Sequence, residues 1–309
     1  MRLRTEHFAA QAHAGGSVTG QPAVFKASRR LVVIACASGF ALGAFPAVAA
    51  ASVAQPRLLS AGNFTVMAAS AITNTGSTTI TGNLAISPKT ASSVTGFPPG
   101  VVTGARDENN AVAIRAHTDL VTTYNDAAHA TPFKNMSGVN LGGKTLTPGV
   151  YHFSSSAQLT GTLILNGEGR SNSIFIFQIG SALTTASRSR VVLSNRASSC
   201  NVFWQVTSSA TLGTATSFQG NLIALTSITL TTGATIGVGG GANGGRALAR
   251  NGALTLDSNQ IRPPTGVCTT ASETPTPSTG AGPIAAAPWL LGTGALLVVA
   301  AIVGRRRSR

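Results

Sequence analysis

A short pattern recurs along residues 182–261 and constrains the fold more than any other feature of the chain. At residues 183–187, 212–216 and 230–235, a leucine is followed two residues later by threonine and then by a small residue, and a weaker copy lies at residues 254–258. The spacing is irregular but stays within roughly the 20–50-residue range of stacked repeats. We therefore predict a β-solenoid whose successive coils present a threonine-rich face.

Residues 57–268 are long enough for one domain with a sizeable core. Most of this region has the composition of short strands separated by tight turns. Two runs, residues 174–179 and 200–206, are apolar enough to be buried on both faces of a sheet. Low charge (10%) and 35 glycines favour a folded β-rich protein over a disordered one.

One segment, residues 105–128, has helical rather than strand periodicity. Asp107 and Glu108 would lie in its first turn, where the helix dipole favours negative charge. The predicted apolar stripe comprises Ala113, Ile114, His117, Leu120, Val121 and Tyr124. Because an apolar stripe must be covered, we expect this helix to lie along the flank of the β-structure.

The formal net charge of +14 is concentrated at the two ends of the chain. Residues 1–50 contribute +4 and residues 304–309 another +4, which leaves +6 for the region between them. Those cations are scattered along the sequence, whereas a phosphate-binding groove clusters them and interleaves aromatic residues. We therefore predict no nucleic-acid partner.

Residues 1–50 have the features of a secretory signal peptide. Residues 26–30 are positively charged, residues 31–45 form a short apolar run, and Ala47-Val48-Ala49 is a small-x-small cleavage site. We therefore expect the domain to be exported.

Three cysteines are present, and Cys36 would be removed with the signal peptide. Cys200 and Cys268 then form the only possible pair in an oxidising compartment, and we predict a disulfide between them. The alternative is two buried free thiols.

The other end of the chain has the features of a surface anchor. Residues 269–283 form a Ser/Thr/Pro-rich linker, residues 284–303 are predicted to be a transmembrane helix, and residues 304–309 a basic cytoplasmic tail. Within the linker, residues 276–280 resemble the sorting signal that sortases cleave, here between Thr279 and Gly280, although Thr276 stands where that signal has leucine. We expect the domain to be held at the cell surface, by the membrane or by the wall.

The titratable residues do not have the spacing of a catalytic or metal-binding site. Four of the domain's acidic residues fall on the predicted helix and Glu168 lies in a predicted turn, whereas glycoside hydrolysis needs paired carboxylates. His117, His129 and His152 lack metal-ligand spacing. No nucleophile elbow or phosphate-binding loop occurs. We predict no catalytic residue, no metal and no cofactor.

Seven blocks of sequence, in order, resemble the signature blocks of the microbial ice-binding protein family, also called the DUF3494 domain. They lie at residues 64–70, 81–84, 94–100, 146–151, 175–180, 201–206 and 245–249. The resemblance covers residues 58–261. It implies a discontinuous right-handed β-solenoid of triangular cross-section with one long helix along its side. It also implies a protein that binds the surface of an ice crystal, as an antifreeze or an inhibitor of ice recrystallisation.

The family's ice surfaces carry Thr-(Ala/Gly)-x-(Thr/Asn) on aligned coils. Residues 232–235 match this motif in full, residues 214–217 match except for Ser217, and residues 185–188 end in Arg188. The candidate ice-binding residues are Thr185, Ser187, Thr214, Thr216, Thr232, Ala234 and Thr235. Stacked coils and β-branched threonine would make such a face flat, rigid and regularly spaced.

Two other interpretations stay open. Threonine is a good strand former, so the pattern could reflect only a regular sheet. A surface adhesin or structural module of the same fold could use the same flat face on a polysaccharide or another cell. We expect a monomer under each interpretation.

Overall fold

The structure is a computed structural model that describes residues 53–239, 244–265 and 268. The predicted signal peptide (1–50), linker (269–283), transmembrane segment (284–303) and basic tail (304–309) lie outside the described residues. Within the described ranges, no helix combines the length and the apolar character needed to cross a membrane.

The described residues contain 24 short strands, which all pair in parallel. In chain order they are β1 (Phe64–Ala68), β2 (Ile72–Thr75), β3 (Thr79–Ile80), β4 (Asn83–Ile86), β5 (Val94–Thr95), β6 (Val101–Val102), β7 (Arg106–Glu108), β8 (Phe133–Asn135), β9 (Thr145–Leu146), β10 (Gly149–Phe153), β11 (Ala157–Leu159), β12 (Thr162–Asn166), β13 (Phe175–Ile179), β14 (Leu183–Thr185), β15 (Arg190–Ser194), β16 (Val202–Val206), β17 (Ala210–Leu212), β18 (Ser217–Phe218), β19 (Gly220–Ala224), β20 (Ile228–Leu230), β21 (Thr235–Ile236), β22 (Gly245–Ala249), β23 (Leu254–Asp257) and β24 (Gln260–Ile261). Three short 3₁₀ helices lie at Leu59–Asn63, Ala91–Ser93 and Ser199–Asn201.

The strands form three parallel sheets, and successive strands of a coil enter sheets A, B and C in turn. Sheet A has the order β7-β4-β1-β22-β19-β16-β13-β10-β8, sheet B the order β11-β14-β17-β20-β23-β2-β5, and sheet C the order β6-β3-β24-β21-β18-β15-β12-β9. The coil that begins with β8 has no strand in sheet B and reaches that sheet through the isolated bridge Asn140↔Gln158. This arrangement confirms a mainly β architecture of stacked coils. The right-handed winding stays a prediction.

The stack does not follow the order of the chain. Strand β1, near the start of the domain, pairs with β22, near its end, through Val66↔Ala247 and Met67↔Leu248. The two N-terminal coils therefore extend the stack beyond the last coil, and the chain then crosses to the opposite end before it builds β8 to β24. The predicted discontinuity of the solenoid is visible in this pairing.

Helix α1 (Ala111–Ala128) makes that crossing, and it begins later than predicted. Asp107 and Glu108 lie in β7, which pairs with β4, so they are not in the first helical turn. The helix is capped instead by Asn110, whose side-chain oxygen accepts a hydrogen bond from the Ala113 amide at 2.9 Å.

The buried face of α1 covers the outer face of sheet A. Its buried residues are Ala113, Ala116, Leu120, Thr123, Tyr124 and Ala127. They pack with outward residues of sheet A, including Met67, Ile176 and Phe203. Ile114, expected in the stripe, is instead 49% exposed. Sheet A is thus buried on both faces, as the apolar runs at residues 174–179 and 200–206 predicted.

The inner faces of the three sheets enclose a single apolar core. Aromatic rings stack along the solenoid axis in register: Phe177 lies 5.4 Å from Tyr151 and 3.9 Å from Trp204, measured between ring centroids. The Trp204 indole donates to the Gln219 carbonyl oxygen at 3.0 Å, which satisfies its one polar group. Helix α1 packs on sheet A, and among the described residues it does not cover the outer faces of sheets B and C.

Candidate functional site: the outer face of sheet B

The strands of sheet B alternate between buried and outward side chains. In β14, β17 and β20, the first and third residues are buried and the middle residue faces outward. The outward residues, in spatial order, are Gln158, Thr184, Thr211, Thr229, Thr255, Thr73 and Thr95. Each is the direct register partner of the next, so six threonines stand in one unbroken row. We call Thr184, Thr211, Thr229, Thr255, Thr73 and Thr95 the threonine ladder.

The geometry of the threonine ladder follows from strand pairing. Adjacent strands lie about 4.8 Å apart, so six positions span about 24 Å. The strand pairs of sheet B run without a register shift, which keeps the row straight. Beneath the row, Leu183, Leu212 and Leu254 are fully buried and fix the strands against the core. Threonine's β-branch restricts χ1, so the hydroxyl and methyl groups repeat in a fixed orientation.

A second set of hydroxyls borders the threonine ladder at the corner between sheets B and C. Ser187, Thr214, Thr232 and Ser258 are exposed in the turns that follow β14, β17, β20 and β23. The Thr214 hydroxyl lies 3.4 Å from that of Thr231. These residues widen the hydroxyl-bearing surface beyond a single row.

The threonine ladder itself carries no charge, and one carboxylate lies at its margin. Asp257 ends β23 and is partly buried. Its Oδ2 accepts a hydrogen bond from the Thr232 hydroxyl, and its Oδ1 accepts one from Ser258 at 3.2 Å. Both carboxylate oxygens are therefore engaged by neighbouring hydroxyls, which ties the corner turns of two coils together.

The seven residues predicted to bind ice do not come together on one face. Thr185, Thr216 and Ala234 are buried, with 3%, 0% and 0% exposure, so they cannot contact an external surface. This part of the prediction is wrong. Thr185 is the third residue of β14, and alternation along the strand turns it inward like Leu183. Thr216 and Ala234 lie in the turns after β17 and β20, where Thr216 bonds to Thr185 and Ala234 joins the inner core.

The other four predicted residues divide between two places. Ser187, Thr214 and Thr232 are exposed at the corner beside the threonine ladder. Thr235 is in β21 of sheet C, where it pairs with Ser217 and Gln260. The ladder threonines were missed, although they share a sequence signal: each directly follows the inward apolar residue that begins or nearly begins its strand, as in Ala210-Thr211-Leu212 and Ile228-Thr229-Leu230.

The predicted disulfide between Cys200 and Cys268 is present, with the Cα atoms 5.2 Å apart. It joins the 3₁₀ helix Ser199–Asn201 to the last described residue. Nearby, a cavity of about 400 Å³ is lined by Gln55, Asn63 and Arg246, among others. It lies away from the threonine ladder, beside sheet A.

Arg246 is the most deeply buried cation of the described residues, with 6% exposure. Burial lowers the pKa of its guanidinium to about 10. Its Nη1 donates to Asn221 at 2.8 Å and its Nη2 to the Gly62 carbonyl oxygen at 2.8 Å. These bonds fasten the 3₁₀ helix Leu59–Asn63 to sheet A. Within the described ranges, no group of three His, Cys, Asp or Glu side chains is close enough to hold a metal ion.

Comparisons with known proteins agree on one family. A protein named "Ice-binding protein" from Nostoc sp. (strain HG1) is 53% identical over 212 residues, which cover 69% of this chain and 75% of that protein. A crystal structure of an ice binding protein from an Antarctic biological consortium has 47% identity and a TM-score of 0.63, covering 67% of this chain and 90% of that one.

A second solved structure extends the similarity to fungi. The ice-binding protein of the Antarctic ascomycete Antarctomyces psychrotrophicus has 36% identity and a TM-score of 0.63, covering 69% of this chain and 100% of that one. The family model described as "Ice-binding-like" matches residues 66–262, which span every coil of the three sheets. The chain belongs to the Ice-binding-like family.

Proposed function

We propose that this chain binds the surface of ice crystals through the outer face of sheet B. The observation that carries the proposal is the threonine ladder, six uncharged and outward threonines in direct register on six adjacent strands. The relatives that bear the name ice-binding protein support ice as the ligand. The role is one of binding, and no residue is assigned to catalysis.

The physical reason is a match between two regular and rigid surfaces. Ice presents a periodic array of water molecules, and the ladder presents hydroxyl and methyl groups at one fixed repeat. Water held on the threonine hydroxyls can join the lattice, while the methyl groups limit the positions open to it. Because χ1 of threonine is already restricted, little side-chain entropy is lost on binding.

The corner residues have a supporting part in this proposal. Ser187, Thr214 and Thr232 are exposed beside the ladder and would extend the area in contact with ice. Of the seven residues predicted from the sequence, these three are retained as ice contacts. Thr235 belongs to another sheet and is not retained.

We also propose that the domain works outside the cell. The disulfide between Cys200 and Cys268 supports an oxidising compartment. In this scheme residues 1–50 direct export, and residues 284–303 hold the domain at the surface with residues 304–309 on the cytoplasmic side. Cleavage between Thr279 and Gly280 would instead attach it to the wall, and mass spectrometry of the mature C-terminus distinguishes the two.

One pair of variants tests the ice face. Thr229 lies in the middle of the ladder, whereas Thr79 is an exposed strand residue of sheet C. The full chain should shape ice crystals and inhibit recrystallisation, and Thr229→Tyr should remove both effects because a bulky ring breaks the flat surface. Thr79→Tyr should leave both unchanged. Loss of activity only in Thr79→Tyr, with circular dichroism unchanged in both variants, would move the site to sheet C.

A further inference from the structure

The charges of the described residues are distributed unequally over the three sides of the solenoid. Four of their six carboxylates, Asp107, Glu108, Asp119 and Asp126, lie on β7 and α1, on the sheet A side. Sheet C and its two corners carry two carboxylates: Glu168, which forms an ion pair with Arg170 at 2.5 Å, and Asp257, which accepts hydrogen bonds from Thr232 and Ser258. The cations of sheet C are therefore largely without opposing charge.

Four exposed cations border the outer face of sheet C around β12 and β15. Lys144 and Arg188 lie in turns at the corner with sheet B, Arg190 begins β15, and Arg196 follows its end. Between them Ile164 and Val192 are register partners whose side chains face outward, and Val192 is 40% exposed. We call Lys144, Arg188, Arg190, Arg196, Ile164 and Val192 the sheet C patch.

The winding of the coils brings these cations together. Lys144 directly precedes β9, and Ile164 of β12 pairs with Thr145 on one side and Val192 of β15 on the other. Two strand spacings, about 10 Å, therefore separate the coil of Lys144 from that of Arg190. Parallel to the strands, the five residues of β15 separate Arg188 from Arg196 by about 15–20 Å.

No carboxylate of the described residues neutralises the sheet C patch. The described residues form three ion pairs, and none includes Lys144, Arg188, Arg190 or Arg196. These four side chains also make no hydrogen bond with another described residue, whereas Arg57, Arg106 and Arg170 each bind a carboxylate. Their charges are thus free to meet an external anion.

The turn that holds Arg188 is repeated on the following coils. The φ of Arg188 is +60°, in the left-handed region that costs a side-chain-bearing residue free energy. The equivalent turn positions of the following coils are Ala215, Gly233 and Ser258, as shown by the same backbone hydrogen bond from each amide to the next coil. Local conformation would favour glycine at all of them. Ala215 and Ser258 adopt the same conformation, with φ of +57° and +52°, so the turn accepts residues other than glycine. Of these four turns, the one at Arg188 alone places a cation beside sheet C.

We propose that the sheet C patch binds a linear anionic polysaccharide. Arginine forms paired hydrogen bonds with carboxylate or sulfate groups, and cations at both margins suit a chain that carries such groups at intervals. The apolar strip of Ile164 and Val192 suits the C–H faces of sugar rings.

Two other polyanions fit the patch less well. Single-stranded nucleic acids are bound by stacking bases on aromatic rings, and the described strands of sheet C present no outward aromatic residue. A membrane surface favours protruding aromatic and long aliphatic side chains, whereas Ile164 and Val192 lie within the strands. The patch is on a different side from the threonine ladder, so the chain could hold ice and a polymer at once.

The test measures binding of the full chain, in mild non-ionic detergent, to immobilised alginate, a polysaccharide with a carboxylate on every sugar. We expect binding to alginate and not to neutral dextran, and weaker binding as NaCl rises from about 0.05 to about 0.5 M, because salt screens exposed charges. The triple variant Arg188→Gln, Arg190→Gln, Arg196→Gln should raise the Kd about tenfold or more.

A matched variant separates the patch from net charge. Lys89→Gln, Arg115→Gln, Lys134→Gln removes three exposed cations from other sides of the domain and should change the Kd less than about twofold. Equal losses in both triple variants would overturn the proposal. So would absence of alginate binding at low salt, or tighter binding to poly-uridylate or to phosphatidylserine vesicles. Thr229→Tyr should bind alginate normally, so failure of ice binding and failure of this proposal are distinguishable.

Discussion

The side-chain hydroxyls of Thr185 and Thr216 lie 2.8 Å apart inside the solenoid, on neighbouring coils. The Gly213 amide donates to the Thr185 oxygen at 2.9 Å, and the Thr216 hydroxyl donates to the Ala186 carbonyl oxygen at 3.2 Å. Thr185 must then donate to Thr216, which gives a chain of three hydrogen bonds. These bonds satisfy two backbone groups in the turns between sheets B and C.

The first prediction concerns this buried chain. Thr216→Val keeps the shape of the side chain but leaves the Thr185 hydroxyl without an acceptor for its proton, and the Ala186 carbonyl oxygen keeps only the Ser189 amide as a donor, at 3.2 Å. We expect the free energy of unfolding to fall by about 1–3 kcal/mol, the usual cost of an unsatisfied buried polar group. Urea denaturation measures it. Thr211→Val, on the exposed ladder, is the control and should change stability by less than about 0.5 kcal/mol. Equal effects of the two variants would contradict the prediction.

The same pair of residues explains where reasoning from sequence succeeded and where it failed. The recurring leucine-x-threonine pattern correctly predicted stacked coils, because an inward leucine on every coil is what a shared core requires. It did not identify the outward residue. In Leu183-Thr184-Thr185 the strand continues, so Thr185 points inward and Thr184 outward. In the copy that starts at Leu230 the strand ends, so Thr232 lies in the corner. The position at which a strand ends decides whether a threonine points inward, points outward or lies in the corner turn. The leucine-x-threonine pattern does not encode that position.

The positions of the cations along the sequence also did not predict which of them lie close together on the folded surface. Lys144 and Arg190 are 46 positions apart in the numbering, yet they lie on coils two strand spacings apart. The sequence predicts scattered cations, and only the register of β9, β12 and β15 brings them to one surface.

The start of the helix was missed for a related reason. Asp107 and Glu108 suit a first turn, but pairing of β7 with β4 takes them into sheet A.

The second prediction ranks positions within the proposed ice face. Thr229 is in the middle of the ladder and Thr232 is in the corner turn, where it donates to Asp257. A disruption at the centre of a binding surface weakens binding more than a disruption at its margin. Thr229→Tyr should therefore abolish thermal hysteresis, while Thr232→Tyr should keep roughly half of it or more. Both variants are compared at equal protein concentration. A larger loss in Thr232→Tyr would shift the centre of the site to the corner turns.

The third prediction concerns the disulfide between Cys200 and Cys268. It closes a loop with a sequence separation of 68 residues, and it anchors the last described residue to the 3₁₀ helix Ser199–Asn201. Cross-linking restricts the unfolded chain, so Cys268→Ser should lower the free energy of unfolding by about 4 kcal/mol. Reductant should lower the Tm of the native chain and leave that of Cys268→Ser unchanged. A native Tm that does not respond to reductant, with thiol labelling confirming reduction, would contradict the prediction.

The last prediction concerns pH and the ion pair that ties the start of the domain to α1. Arg57 Nε lies 2.9 Å from Asp126 Oδ2, and Arg57 Nη2 lies 3.2 Å from Oδ1. Partial burial acts to raise the pKa of Asp126, but the hydrogen bonds and charge of Arg57 outweigh it, and the pKa lies below its ordinary value. The folded state therefore holds this proton less tightly than the unfolded state does. The pair's stabilisation is present above about pH 4 and is lost as pH falls through the lowered pKa.

Arg57→Gln should raise the pKa of Asp126, measured by NMR titration of its carboxyl carbon, and should flatten the acid side of the stability profile. Arg106→Gln breaks a different pair, with Glu108, and should leave the Asp126 titration where it was. An Asp126 pKa that is the same with and without Arg57 would mean that burial and the local backbone, not the guanidinium, set it.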